Sequence, residues 1–148
     1  MAEPWKAGKK MVKQYLLDTD VCIELIKYNE LVLDKVEEIG ADNCFITAIT
    51  IAELSYGAAK SARPEQFNDI TYIMQSFKLV PILPSLRLYG TNKAYLEDHG
   101  QMIGEFDLLI GSCAVHNHYV MVTSNIKHFD HIPNIVIEDW AQKSKYIR

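Results

Sequence analysis

The sequence predicts one α/β domain in which a mainly parallel β-sheet lies between two layers of helices. Short apolar segments that suit buried strands alternate along the chain with longer segments whose apolar residues recur at helical spacing. Strands that alternate with helices favour a parallel sheet covered on both faces. The chain has 148 residues, of which 49% are apolar, and it shows no internal repeat or low-complexity tract. We therefore expect a three-layer α/β/α sandwich over residues 14–148.

The elements follow from apolar periodicity and from residues that start or stop helices. Strands are predicted at 14–17, 44–47, 79–83, 119–123 and 135–137. Helices are predicted at 21–27, 31–39, 48–60, 64–77, 85–99 and 106–118. Thr47 is expected to cap the third helix, and Gly40 and Gly100 are expected to end the second and fifth. Pro81 favours an edge position for the third strand, because proline has no N–H for a ladder, unless the proline lies at the end of the strand.

Composition restricts the classes of function. Residues 1–13 contain four lysines and no apolar segment, so we expect a flexible leader and not a secretory signal. Met11 is an alternative start, in which case residues 1–10 would be non-native. No apolar run approaches the roughly 18 residues of a membrane span. Three cysteines without C-x-x-C spacing suit reduced core thiols in a cytoplasmic protein. The formal net charge of -4 argues against a broad basic surface for nucleic acid, so any such contact must be local.

Carboxylates stand at the junctions between predicted elements. Asp18 and Asp20 directly follow the first strand, Glu53 lies within two turns of the start of the third helix, and Asp107 opens the sixth. The carboxyl ends of parallel strands meet at one crevice, so these side chains are expected to converge. Ionised carboxylates a few ångströms apart raise one another's pKa, and hard oxygen ligands suit Mg²⁺ or Mn²⁺. The pattern therefore favours a divalent metal site.

Each acid alone has a simpler explanation. Asp18 or Asp107 alone is commonly a helix cap, and a single Glu53 is commonly a solvated helix residue. Glu53, however, is flanked by apolar residues, so its carboxylate is not expected on a freely solvated face. Asp20 points away from Asp18 in an extended chain, and we expect it to cap the first helix, with a place in the site as the alternative.

Polar residues after the fourth strand complete the candidate site. Thr123, Ser124 and Asn125 can orient water or a carboxylate without adding negative charge. The five histidines show no metal-ligand spacing with Cys or Glu and are assigned no chemistry. Candidates for contact with substrate phosphates, at even odds with plain surface charges, are Lys127, Lys60 and Arg63.

Four sequence blocks occur in a characteristic order. They are LLDTDVCI at 16–23, ITAITIAELSYG at 46–57, IGEFDLLI at 103–110 and VTSN at 122–125. This order resembles the PIN-domain family, and within it the VapC-type ribonuclease toxins of bacterial toxin–antitoxin pairs. The resemblance implies a metal-dependent endoribonuclease acting on RNA, with Asp18, Glu53 and Asp107 as metal ligands. It also implies a small antitoxin partner and places Asn125 where the family often carries Asp or Asn.

Two features leave details of this site open. Glu105 stands two residues before Asp107 and can share metal ligation if the helix starts slightly earlier or later. Asn125 in place of an acid removes one formal charge, which favours a single metal ion over two.

Two other functions are weighed against the nuclease. A strand followed by Asp18-x-Asp20 also resembles phosphoaspartate phosphatases of the haloacid dehalogenase type, in which the first Asp is the nucleophile, although Glu53 would then have no task. Alternatively, the chain is a catalytically silent PIN-like module. The apolar face of residues 21–39 would then bind a partner or form a homodimer, which is also expected of the toxin.

Overall fold

A five-stranded parallel sheet forms the centre of the protein in the computed structural model, which describes residues 12–142. In chain order the strands are β1 (Tyr15–Leu17), β2 (Cys44–Ile46), β3 (Lys78–Leu79), β4 (Val120–Val122) and β5 (Ile137–Glu138). Across the sheet they run β3-β2-β1-β4-β5, and all neighbouring pairs are parallel. The predicted parallel α/β sheet is confirmed. The leader expected over residues 1–13 lies almost wholly outside the described residues.

Helices connect these strands and cover both faces of the sheet. Over residues 12–142 they are α1 (Thr19–Ile26), α2 (Glu30–Ile39), α3 (Ala48–Ser61), α4 (Gln66–Ser76), α5 (Leu86–Asp98), α6 (Glu105–His116) and α7 (Ile126–Phe129). None of the helices in this range is long and apolar enough to cross a membrane.

Successive residues of β1 face opposite helical layers. Tyr15 and Leu17 belong to the core that packs against α1, α2 and α4, whereas Leu16 packs in a second core with Leu96 of α5 and Leu108 of α6. The whole of β1 is buried. Cores on both faces of one sheet make the three-layer sandwich that the alternating pattern predicts.

Most predicted helix boundaries agree with the structure. The Thr47 hydroxyl accepts a hydrogen bond from the Thr50 N–H at 3.2 Å, which confirms the predicted cap of α3. Gly40 and Gly100 follow α2 and α5 with φ angles of 94° and 63°, a region that glycine enters without strain. The three cysteines are buried and free, as expected.

The third strand is shorter than the predicted 79–83. Its ladder ends where the Val80 N–H donates to the Ile46 carbonyl at 2.9 Å, because Pro81 has no N–H with which to continue. Residues Leu83–Ser85 form a 3₁₀ turn instead. The edge position of β3 agrees with the expectation from Pro81.

Other differences lie at element ends. The first helix begins at Thr19, two residues before the predicted start, and the last strand lies at Ile137–Glu138 in place of 135–137. The four-residue helix α7 is not predicted, since one turn is too short to display a helical period.

The strand order changes direction between β1 and β4. From β1 the chain adds β2 and β3 on one side of the sheet, and then crosses to add β4 and β5 on the other side. Strands β1 and β4 are neighbours, and the Asp18 N–H donates to the Val122 carbonyl at 3.0 Å just past their carboxyl ends. Open α/β sheets bind ligands at this kind of switch point. The fold therefore brings residues 18–20 and 123–125 into one crevice.

Candidate metal centre

Asp18 lies at the base of this crevice and is 3% exposed. Its Oδ1 accepts the Thr19 N–H at 2.8 Å, which makes it the N-cap of α1, and its Oδ2 accepts the Thr123 hydroxyl at 2.9 Å. The Thr123 hydroxyl itself accepts the Asn125 N–H at 3.0 Å, so its proton is directed to the carboxylate. Asp18 is thus both a cap and a buried carboxylate held from two strand ends.

Asp20 joins the same crevice, and the expectation that it caps the first helix is wrong. Helix α1 begins at Thr19, so Asp20 is its second residue and lies inside the helix. The first turn of α1 brings Asp20 beside the loop that follows β4. Asp20 Oδ2 accepts the Ser124 N–H at 2.9 Å, whereas the buried Oδ1 has no hydrogen-bond partner among residues 12–142. A buried carboxylate oxygen without a partner is a costly arrangement that a bound cation relieves.

The electrostatics of this pair follow from burial and like charge. Burial, together with the nearby charge of Asp20, raises the pKa of Asp18 to about 7, although the hydrogen bonds from the Thr19 N–H and the Thr123 hydroxyl oppose the increase. Burial also raises the pKa of Asp20, although the Ser124 N–H opposes the increase. Two ionised carboxylates are therefore unfavourable in this crevice unless positive charge joins them.

Glu53 lies on α3 and is connected to α1 through Thr19. The Thr19 hydroxyl donates to Glu53 Oε1 at 2.6 Å and lies 3.3 Å from the Thr50 hydroxyl. Glu53 is partly buried, in agreement with the expectation that its carboxylate does not lie on a freely solvated face. Its partner Thr19 directly follows Asp18, the cap of α1, and among residues 12–142 no hydrogen bond joins Glu53 to Asp18 itself.

The structure places Asp107 and Glu105 in different surroundings. Since α6 begins at Glu105, Asp107 is its third residue, and positions two apart do not share a helix face. Asp107 Oδ2 lies 2.9 Å from His128 Nδ1. Glu105 Oε1 lies 2.7 Å from Lys93 Nζ, and its other oxygen accepts the Tyr89 hydroxyl. Glu105 is therefore already neutralised, which leaves Asp107 as the metal ligand that we propose from this helix.

The loop after β4 presents the remaining polar groups. Thr123 is buried, whereas Ser124 and Asn125 are exposed. The Ser124 hydroxyl donates to Asp139 Oδ1 at 2.9 Å, a contact between loops 15 residues apart that sequence spacing does not reveal. Asp139 thus secures the loop whose N–H holds Asp20.

A cleft of about 310 Å³ lies between α3 and the start of α6. It is lined by Glu53, Gly104, Glu105, Phe106 and Asp107. It supplies space for substrate next to two of the predicted ligands.

The predicted cationic residues do not gather at one place. Lys127 is exposed on α7, and Lys60 lies 5.8 Å above the ring of Tyr56. Arg63 lines a separate cavity of about 410 Å³ that also includes Glu53. Arg63 thus shares a cavity with Glu53, and Lys60 lies on the same helix as Glu53.

The side chains of the crevice suit a hard divalent cation. The unpartnered Asp20 Oδ1 and the buried Asp18 beside it are oxygen donors that such an ion would satisfy. Within residues 12–142, no three His, Cys, Asp or Glu side chains are close enough to enclose an ion. For Asp18, Glu53 and Asp107 to share one ion, their side chains must rotate or water must complete the coordination. The donor chemistry fits, and the three-ligand set stays a prediction.

Comparison with known proteins decides the family. The PIN domain family model matches residues 15–135, which include each carboxylate discussed above except Asp139. The chain belongs to the PIN-domain family. Ribonuclease VapC2 of Rickettsia felis is 34% identical over 130 residues, covering 85% of this chain and 97% of that protein. The tRNA(fMet)-specific endonuclease VapC of Salmonella typhimurium is 30% identical over 130 residues, covering 86% and 98%.

Solved structures agree with this PIN-domain assignment. VapBC2 from Rickettsia felis, bound to a DNA fragment from its promoter, superimposes with a TM-score of 0.79 at 32% identity, covering 85% of this chain and 98% of that one. DNA-bound VapBC from Salmonella typhimurium gives a TM-score of 0.80 at 30% identity, covering 86% and 98%. The family resemblance and the fold predicted from sequence are confirmed. Nothing in these comparisons favours the phosphoaspartate-phosphatase alternative.

The metal-free PIN domain is expected to lose stability relative to its Asp18→Asn variant as pH rises from about 4 to about 7. Asp18 has a raised pKa in the folded state, so the folded protein binds more protons than the unfolded chain in this window. The free energy of unfolding of the variant should exceed that of the wild type by about 2–4 kcal/mol at pH 8. Urea unfolding in EDTA between pH 4 and 8 measures the difference. A difference independent of pH would show that Asp18 ionises normally.

Proposed function

We propose that this protein is a VapC-type endoribonuclease toxin that hydrolyses RNA phosphodiester bonds with Mg²⁺ or Mn²⁺ held by Asp18, Glu53 and Asp107. The buried Asp18–Asp20 pair with its unpartnered oxygen, at the switch point of a PIN fold, is the observation that carries the proposal. Two relatives support the same activity: one at 34% identity is named a ribonuclease, and one at 30% identity is named a tRNA(fMet)-specific endonuclease. When bound, the ion supplies positive charge that stabilises an attacked phosphate and makes water more acidic.

The protein's own contribution is to hold acidic oxygens in a fixed place. The Thr123 hydroxyl and the Thr19 N–H fix the two oxygens of Asp18, and the Ser124 N–H fixes one oxygen of Asp20. Hydrogen bonds to such carboxylates maintain their orientation and commonly contribute about 10–100-fold to metal affinity or activity. Thr123 and Ser124 therefore act as supporting residues around the ligands, whereas Asp20, with one oxygen held and the other unpartnered, can add an oxygen donor to the same ion.

The surroundings of the crevice suit contact with one RNA segment. The exposed amide of Asn125 can orient water or a phosphate without adding negative charge. Lys127 and Arg63, and more remotely Lys60, offer cations to flanking phosphates, which is consistent with a local contact on a chain of net charge -4. Glu105 is held by Lys93 and has a structural role at the mouth of the cleft.

We further propose a small antitoxin protein as the partner, because similar structures from Rickettsia felis and Salmonella typhimurium are VapBC complexes. A homodimer remains part of this proposal. The cytoplasm, where RNA is accessible to the enzyme, is the compartment in which the activity would operate.

Removal of divalent metal is expected to abolish cleavage of RNA, and its return should restore cleavage. The purified protein is incubated with single-stranded and stem-loop RNAs with Mn²⁺ or Mg²⁺, with EDTA, and after replenishment of the metal. The RNAs include tRNA(fMet), because relatives from Salmonella typhimurium and Shigella flexneri are named for it. Cleavage that persists in EDTA would contradict the metal requirement. The absence of cleavage of every RNA would favour the silent binding module.

A further inference from the structure

A histidine from outside the four sequence blocks contacts a proposed metal ligand. His128 Nδ1 lies 2.9 Å from Asp107 Oδ2, and the two residues are 21 positions apart on α7 and α6. An ionised carboxylate only accepts hydrogen bonds, so Nδ1 carries the proton and donates it. Among residues 12–142, Asp107 Oδ1 makes no hydrogen bond, so the contact with His128 occupies one oxygen and leaves the other available.

The position of His128 is fixed by packing between α7 and α6. Phe129, the next residue, is 0% exposed, and Ile132 just after the helix is 2% exposed. Both lie against Gly111, where an added Cβ would come within 3.2 Å of Phe129 Cδ1 and 2.5 Å of Ile132 Cδ1. Gly111 therefore permits the close approach of the two helices.

The same face of α6 carries both the packing site and the ligand. Asp107 and Gly111 are four residues apart, so they lie one above the other on the helix. Phe129 packs at Gly111 while His128 reaches Asp107 one turn away. The hydrogen bond thus lies one turn from the point where Phe129 packs closely against α6.

We propose that His128 is a positioning residue for Asp107. By holding Oδ2, it limits rotation of the carboxylate and presents Oδ1 to the divalent ion, and so lowers the cost of ordering this ligand when the ion binds. The role rests on the proposed function, because it concerns the same metal site. It assigns no contact between His128 and the reacting atoms of the RNA.

The test measures metal binding independently of catalysis. Isothermal titration with Mn²⁺ is performed on wild type, His128→Ala and His128→Asn, because the Asn amide nitrogen can replace Nδ1 as the donor. The Kd for Mn²⁺ should rise about 10–100-fold in His128→Ala and return to within about threefold of wild type in His128→Asn. His131→Ala is the matched control, since His131 is an exposed histidine nearby whose contact with Asp130 is 3.6 Å long. Its Kd should not change.

Cleavage assays give the second measurement. At saturating Mn²⁺, His128→Ala should recover most of the wild-type rate, because a positioning residue that acts through metal affinity is compensated by mass action. A rate that stays low at saturating Mn²⁺ would overturn the positioning role, as would an unchanged Kd in His128→Ala or a failure of His128→Asn to restore binding. If wild type bound no Mn²⁺, the proposed metal site would fail as well. If wild type bound Mn²⁺ and His128→Ala did so equally, only the role of His128 would fail.

Discussion

Asp18→Asn is expected to lower RNA cleavage by at least about 100-fold, because loss of a direct ligand should exceed the about 10–100-fold effect of losing a residue that supports one. The substitution keeps the cap on α1 and a contact with Thr123, since an amide oxygen accepts the Thr19 N–H as the carboxylate does. It removes one negative charge from beside Asp20. Initial rates at fixed Mn²⁺ measure the loss, and Mn²⁺ titration shows whether it comes from weaker binding.

Two further variants make this result specific. Asp42→Asn is the matched control, because Asp42 is exposed and precedes β2, at the end of the sheet away from the crevice. Its activity should equal that of wild type. Glu105→Gln should retain activity within about tenfold if Glu105 supports the cleft mouth without binding metal. Equal rates for Asp18→Asn and wild type would exclude Asp18 from the catalytic site, and an inactive Glu105→Gln would assign the ligand role to Glu105.

Phe129→Ala is expected to lower the free energy of unfolding by about 3–5 kcal/mol, the usual range for removing a buried aromatic side chain. Phe129 is fully buried in the core that includes Leu16, Leu108 and Ile132, and it joins α7 to α6. Its loss leaves a cavity beneath α7 and loosens the contact between His128 and Asp107. Urea unfolding at one pH in EDTA measures the change.

The control for Phe129→Ala lies on the same short helix. Ile126 is 40% exposed, so Ile126→Ala should change the free energy of unfolding by about 0.5 kcal/mol or less. A Phe129→Ala variant as stable as Ile126→Ala would mean that α7 does not contribute to the core. Mn²⁺ affinity should fall in Phe129→Ala at temperatures where the variant remains folded, because Asp107 then lacks a fixed donor.

The sheet and the carboxylates at its strand ends could be predicted because they depend on local patterns. Short apolar runs locate β1 and β4, and the rule that parallel strands present ligands at their carboxyl ends brings Asp18 and Thr123 together. The cap of α3 at Thr47 is likewise encoded within three residues. These features require no knowledge of which distant side chains meet.

The errors concern contacts that depend on tertiary packing. The Asp20 carboxylate was expected to cap α1, yet it pairs with an N–H 104 residues away, and no local signal distinguishes these partners. His128 has no metal-ligand spacing, but a one-turn helix too short for periodicity carries it to Asp107. Glu105 and Asp107 look equivalent in sequence, and their different partners, Lys93 and Tyr89 for Glu105 and His128 for Asp107, come from other helices.

The hydrogen bond between Thr123 and Asp18 joins residues that are 105 positions apart, and it forms only when β4 pairs with β1. During translation, Asp18 leaves the ribosome long before Thr123 at the end of β4 does. The catalytic crevice that we propose therefore cannot be assembled on an early nascent chain. If the chain is the ribonuclease that we propose, cleavage of RNA cannot begin before β4 has emerged and paired with β1.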